Sequence, residues 1–202
     1  HGDPAGPAPP PEPRVYALVE GGGLYLRRWE PGLPARWEHA ANLGSHVINI
    51  AVGVEIQQDG RAREILFGVL SQRPDRQLLF QRLEGANHDS WAFLVGGTIS
   101  SVAFSSGGVY ASGAPAVQQT ARERPRGRRL QAQTYGGILK LAQKWGSYNW
   151  EKVTGGDCGY VAVHGPLMYT LGTDNFVYSQ PLPPDRSTKW RKTFKAGGVT
   201  TL

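Results

Sequence analysis

The chain carries a single cysteine, Cys158, and a single methionine, Met168, in 202 residues. One thiol excludes an internal disulfide framework, and no CxxC pair or His/Cys cluster offers a structural zinc site. No uninterrupted apolar run approaches the roughly 20 residues that a membrane-spanning helix needs. The motifs GxSxG, HExxH, GxxxxGK[ST] and GxGxxG are all missing, which removes the usual signatures of acyl transfer, zinc hydrolysis and nucleotide binding. His39, His46, His88 and His164 are dispersed without metal-ligand spacing. No segment has helical length and period; Ile138 to Trp145 (ILKLAQKW) comes nearest, and its place in the repeat described below makes it a strand.

What is present is turn-forming chemistry. The sequence holds 27 glycines and 15 prolines, which suits many short strands joined by tight loops. At 40% hydrophobic and 19% charged it can bury a core, so wholesale disorder is excluded. The net charge is +6, but five of the 22 basic residues sit in one stretch: Arg122, Arg124, Arg126, Arg128 and Arg129, broken by Pro125 and Gly127. Without it the chain is close to balanced, so the basic character belongs to one segment rather than to a face. Residues His1 to Pro13 (HGDPAGPAPPPEP) form a Pro/Ala/Gly-rich tail that leads into a domain at Arg14. A chain that starts with His1 suggests processing, and the expectation is a secreted or organelle-lumenal protein.

Self-similarity is the strongest signal. From Gly155 the order is Gly-Gly, a short apolar strand, a second strand, an aromatic strand, a loop and a Trp strand (GGDCGYVAVHGPLMYTLGTDNFVYSQPL, then TKWRKTFKAGG). The same order runs from Gly96, with an insertion at about 114–134 that carries the arginines, and again from Gly44. A first copy from Arg14 lacks its leading strand. The marker tryptophans Trp37, Trp91, Trp150 and Trp190 are separated by 54, 59 and 40 residues, an irregular period. About four units of four short strands predict an all-β propeller over residues 14–202. The chain ends Gly197-Gly198-Val199-Thr200-Thr201-Leu202, which begins another copy, so this strand is expected to pair beside Arg14 to Val19 and close the ring. Paired chains forming a larger ring, and an antiparallel barrel or sandwich, are the structural alternatives.

The units resemble the tectonin group of propeller repeats. The likeness is carried by Trp150, Gly155, Gly156, Val161, Val163, Gly172, Asn175, Tyr178 and Trp190, with echoes at Trp91, Gly96, Gly97, Val102 and Tyr110. Phe80 stands for Tyr178 in the second unit. The resemblance implies a propeller and a lectin-like, non-catalytic recognition module, with no cofactor.

The residues themselves point the same way. Asp174-Asn175 and Asp59-Gly60 read as hairpin turns, not as an acid/base pair, and Gly21-Gly22-Gly23 reads as a turn between strands. Cys158 and His164 are the only nucleophile-and-base pairing available, and a structural reading of both is favoured. Aromatic rings stack on sugar C–H faces while polar groups bind hydroxyls. The repeated tryptophans are expected to pack between units, which leaves Trp145, with Tyr148 and Asn149, and Trp29 as the aromatic ligand surface. Arg122 to Arg129 would dock on an anionic glycan or acidic protein surface. Nucleic acid is disfavoured because no stacking aromatics interleave the arginines. The second functional reading is a scaffold subunit of a larger assembly, with the proline tail and arginine loop as docking elements.

Overall fold

Glycine pairs and turn residues cut the chain into strands that pair almost entirely with their sequence neighbours. The computed structural model describes residues 14–28, 32, 36–56, 60, 62–71, 76–82, 92–105, 108–115, 137–144, 147–156, 158–185 and 187–196. Among these there is no helix, and every strand pairing is antiparallel. Strands β1 (Arg14–Leu18), β2 (Gly23–Arg28) and β3 (Glu38–Asn42) form one sheet. Strands β11 (Cys158–His164), β12 (Leu167–Gly172), β13 (Phe176–Pro181) and β14 (Arg191–Lys195) form another. Between them lies a seven-stranded sheet of β4 (Val47–Ile56), β5 (Ala62–Ser71), β6 (Arg76–Arg82), β7 (Ala92–Ser105), β8 (Gly108–Pro115), β9 (Ile138–Lys144) and β10 (Ser147–Thr154).

That large sheet is two four-stranded units sharing one strand. Residues Ala92 to Gly97 of β7 pair with β6, and Gly97 to Ser105 pair with β8. The handover falls at Gly96-Gly97, where the sequence places the start of a new copy. The chain therefore runs as unit 1 (β1–β3), unit 2 (β4 to the first half of β7), unit 3 (second half of β7 to β10) and unit 4 (β11–β14). Strands of ten residues in β4 and β5 and fourteen in β7 exceed the short strands expected.

Two β-bulges recur in the units and establish their equivalence. In the last strand the unpaired residues are Ala40, Leu94, Val153 and Thr193, each three positions after its marker tryptophan. In the first strand they are Ile48, Ser100 and Gly159. A bulge adds one residue on one strand and sharpens the local twist, so recurrence at fixed positions gives the sheets the same curvature. The register corrects one equivalence. Tyr178 pairs Lys192 just before the bulged residue, and the matching pair in unit 2 is Leu79 with Phe93, not Phe80.

Buried side chains collect where consecutive units meet. Leu24 and Leu43 of unit 1 meet Val47 and Leu66 of unit 2. Phe67 and Val69 of unit 2 meet Ile99, Val102 and Leu139 of unit 3. Ala103, Tyr110 and Ile138 of unit 3 meet Cys158, Val161 and Met168 of unit 4. First strands are also tied to one another by side chains: Val102 N donates to Asn49 Oδ1 at 2.9 Å, and Val161 N donates to Ser101 Oγ at 2.7 Å. Both acceptors stand one residue after the first-strand bulge, so a single device is used twice. The strand expected to close the ring lies in residues 197–202, outside the described residues. Among the described residues β1–β3 form no packing interface with β11–β14.

Unit 1 is held to unit 2 by a polar anchor as well. Tyr16 Oη and Arg14 Nη1 both donate to Glu64 Oε2, at 2.8 and 2.6 Å. Burial, and then the bond to Glu64, push the Tyr16 phenol up to about 12 from its ordinary 10.0. A raised pKa means that the folded state favours the neutral phenol. Its contribution is complete below pH 10 and is lost as pH rises through about 12. The urea midpoint of the native chain is expected to fall across that window, and to fall less in Tyr16→Phe; equal slopes in the two proteins would reject the anchor.

Candidate functional site

The β12–β13 turn, Gly172-Thr173-Asp174-Asn175, organises a composite polar and aromatic group beside a cavity. Asn175 takes a left-handed backbone (φ 60°), which asparagine tolerates better than most residues. Its N–H donates to the Gly172 carbonyl at 3.0 Å, and its carbonyl accepts from Ala196 N at 2.8 Å. Unit 1 repeats this clasp with Gly22 (φ 86°), bonded to Val19 O and Leu43 N at 3.0 and 2.8 Å.

The turn aims Asp174 back across the sheet. Asp174 Oδ2 accepts from Tyr178 Oη at 2.8 Å and from Lys192 Nζ at 3.0 Å, while Oδ1 accepts from Phe176 N at 3.2 Å. Lys192 Nζ also lies 3.4 Å from the centre of the Phe176 ring. The Tyr178 hydroxyl, and then the Lys192 ammonium, hold the Asp174 carboxyl below its ordinary value of 3.8, and Lys192 is raised in turn by Asp174. A depressed carboxyl keeps its partners above 3.8 and loses them only as pH falls below that value.

Beside this cluster is a cavity of about 260 Å³ at the junction of units 3 and 4. Buried Cys158 and Thr170 lie at its base, Trp190 and Tyr178 supply aromatic surface, and Asp174 and Thr173 supply polar groups. Space comes from Gly155, Gly156 and Gly172, which also line it. A Cβ on Gly172 would sit 2.8 Å from both Asp174 Oδ1 and Tyr178 Cε2. Trp190 is fixed by its Nε1, which donates to Thr154 Oγ1 at 2.9 Å, so the indole N–H is already engaged. At the junction of units 2 and 3 the corresponding Trp150 Nε1 is buried without a partner. The residue before Gly-Gly there is Val95, which has no hydroxyl to match that of Thr154.

The one thiol-and-imidazole pairing that the sequence offers is not assembled here. Cys158 and His164 stand at opposite ends of β11, paired with Gly172 and Leu167. Six residues of strand hold them roughly 20 Å apart. Among the described residues no three His, Cys, Asp or Glu side chains come together as metal ligands.

Of the residues expected to form the ligand surface, Tyr148 and Asn149 are exposed on β10, opposite Gln143 and Ala142, and do not line the cavity. Trp29, Trp145 and Arg122, Arg124, Arg126, Arg128 and Arg129 lie outside the described residues. Trp150 and Trp190 pack against junction clusters, as expected of marker tryptophans, whereas Trp37 is exposed. Trp190 and Asp174 were read as packing and as turn chemistry, and both also line the cavity. Trp190 shares the repeated pattern with Gly155, Gly156, Gly172 and Tyr178, which also line the cavity, whereas Asp174 carries no signal beyond its turn. Comparison with family models and with curated proteins finds no match for this chain.

Proposed function

We propose that the chain is a non-catalytic recognition module of the propeller type, resembling the tectonin repeats, that binds carbohydrate at the junction of units 3 and 4. The single observation that carries this reading is the cavity itself. One small space brings together a fixed indole ring, a phenol, a carboxylate and two threonine side chains, over glycines that expose backbone. Flat rings meet sugar C–H faces and the polar groups meet hydroxyls. The Tyr178 proton is engaged by Asp174, which leaves the phenol oxygen as an acceptor toward a ligand hydroxyl.

The test is a glycan array probed with the native chain and Gly172→Val at two salt concentrations. Salt-resistant binding to one sugar class, weakened roughly tenfold or more by the valine that fills the cavity, is expected, a change worth about 1.4 kcal/mol. The atoms crowded by a side chain at Gly172 are the Asp174 carboxylate and the Tyr178 ring edge rather than backbone, so the variant is expected to displace those two side chains while the strands stay paired, which far-ultraviolet circular dichroism checks. Binding confined to sulfated glycans and lost at high salt would move recognition to the arginine segment. Absence of any glycan binding would overturn the reading in favour of the scaffold subunit.

A further inference from the structure

Every junction between units joins two kinds of face. The face turned to the following unit offers its second- and third-strand apolar residues and the residue after its last strand. In unit 1 these are Leu24 and Leu43, backed by Tyr16 and Leu18, and they are covered by unit 2. The matching residues of unit 4 are Val177, Ala196, Tyr169 and Leu171. They form a small cluster with Tyr160 of the same unit, with no second unit against it among the described residues, and Phe194 on the same sheet is 54% exposed.

The face turned to the preceding unit shows the opposite vacancy. In unit 4 it is built on Met168 and Trp190, packed against unit 3. The equivalents in unit 1, one position before the matched tyrosines Tyr16 and Tyr169 and three before the matched bulges, are Val15 and Trp37. They are 48% and 47% exposed, and Val19, the counterpart of Gly172, is 44% exposed. The chain thus presents the two halves of one junction at its two ends, and among the described residues these halves do not meet.

We propose that a second copy of this chain covers them, with unit 4 of each copy seated head to tail on unit 1 of the other. Each copy owns one face of each kind, so two copies can satisfy both and close the arrangement. In every other junction the last strand leads straight into the first strand of the next unit. Among the described residues β1 pairs with β2 alone, so one edge of unit 1 is open. The inference rests on the repeated-unit part of the proposed function and not on the ligand of the cavity, so the glycan result does not decide it.

Light scattering on a gel-filtered concentration series gives the mass directly. The native chain is expected at about twice its 22.0 kDa. Trp37→Asp and Phe194→Asp each place a charge on a side chain about half exposed in the single chain, so both are expected to keep the native thermal midpoint at low concentration and to run at single-chain mass. Mixing the two variants is expected to restore a two-chain species, because Trp37 of one meets Phe194 of the other. A native chain that stays single at every concentration would overturn the proposal. So would variants that keep the double mass, a mixture that stays single, or masses that climb without limit.

Discussion

Met168→Ala is expected to lower stability by about 2–5 kcal/mol, as truncation of a fully buried side chain in a packed cluster does. Val15→Ala, at the same position of unit 1, is expected to change it by less than about 0.5 kcal/mol when the chains are single, because Val15 is exposed. Urea unfolding in the Trp37→Asp background, where the head-to-tail contact is removed, makes the comparison fair. The contrast is the informative quantity. The two positions have one role in the repeat, and truncation removes side chains of similar reach, Met and Val, so a contrast this large reports whether a neighbouring unit covers them. Comparable losses at both would mean that unit 1 is covered from within the chain, and would return the closing contact to the C-terminal strand of the same molecule.

Ser101→Ala should cost about 1–3 kcal/mol, although only one oxygen is removed. Ser101 is 2% exposed, and its Oγ accepts the Val161 N–H that points away from the β12 ladder. Alanine leaves that N–H buried at the junction of units 3 and 4 with no replacement. The same pocket of polarity includes Ser112 of β8, whose Oγ donates to Gly159 O at 3.0 Å, so the loss falls where the first and second strands of unit 3 both bond β11. Amide exchange at Val161 should accelerate along with the fall in stability. Unchanged protection at Val161 would show that the bond between first strands does not hold the units together.

The strands and the points where units begin were legible because they depend on local chemistry. Gly96-Gly97 and Gly155-Gly156, the alternating apolar runs and the tryptophans each mark a boundary without help from distant residues. Register was less legible. A bulge shifts pairing by one, so counting outward from the turn reaches Phe80 where the sheet pairs Leu79. The continuity of β7 was hidden for a related reason, since a glycine pair marks a turn and a straight handover equally well.

The candidate site was legible only in pieces. Asp174 and Asn175 satisfy the demands of a hairpin so well that the turn accounts for them fully, and nothing local reveals a carboxylate aimed at Tyr178 and Lys192. The cavity also needs Gly155 and Gly156 from the end of unit 3 beside a hairpin of unit 4, a juxtaposition created by packing between units. Trp37 and Trp190 show the same limit in reverse. Their places in the repeat match, but exposure is a property of the neighbour, which the repeat does not encode.

The root of the arginine-bearing connection has a consequence of its own. Strand β8 ends at Pro115 and β9 begins at Ile138, and the two are clasped at their base by Gly113 N donating to Gly137 O at 3.0 Å. Once the ends of a connection are fastened, its closing entropy grows only with the logarithm of its length, and each doubling costs about 0.6 kcal/mol. Unit 3 can thus carry a long or a short connection at nearly constant stability. The root of that connection, at Pro115 and Ile138, stands at the same place in its unit as the turn that bears Asp174, since both join second and third strands. The hairpin ends of this scaffold are therefore interchangeable parts, and a change of charge or reach at one need not disturb the strands that support the next.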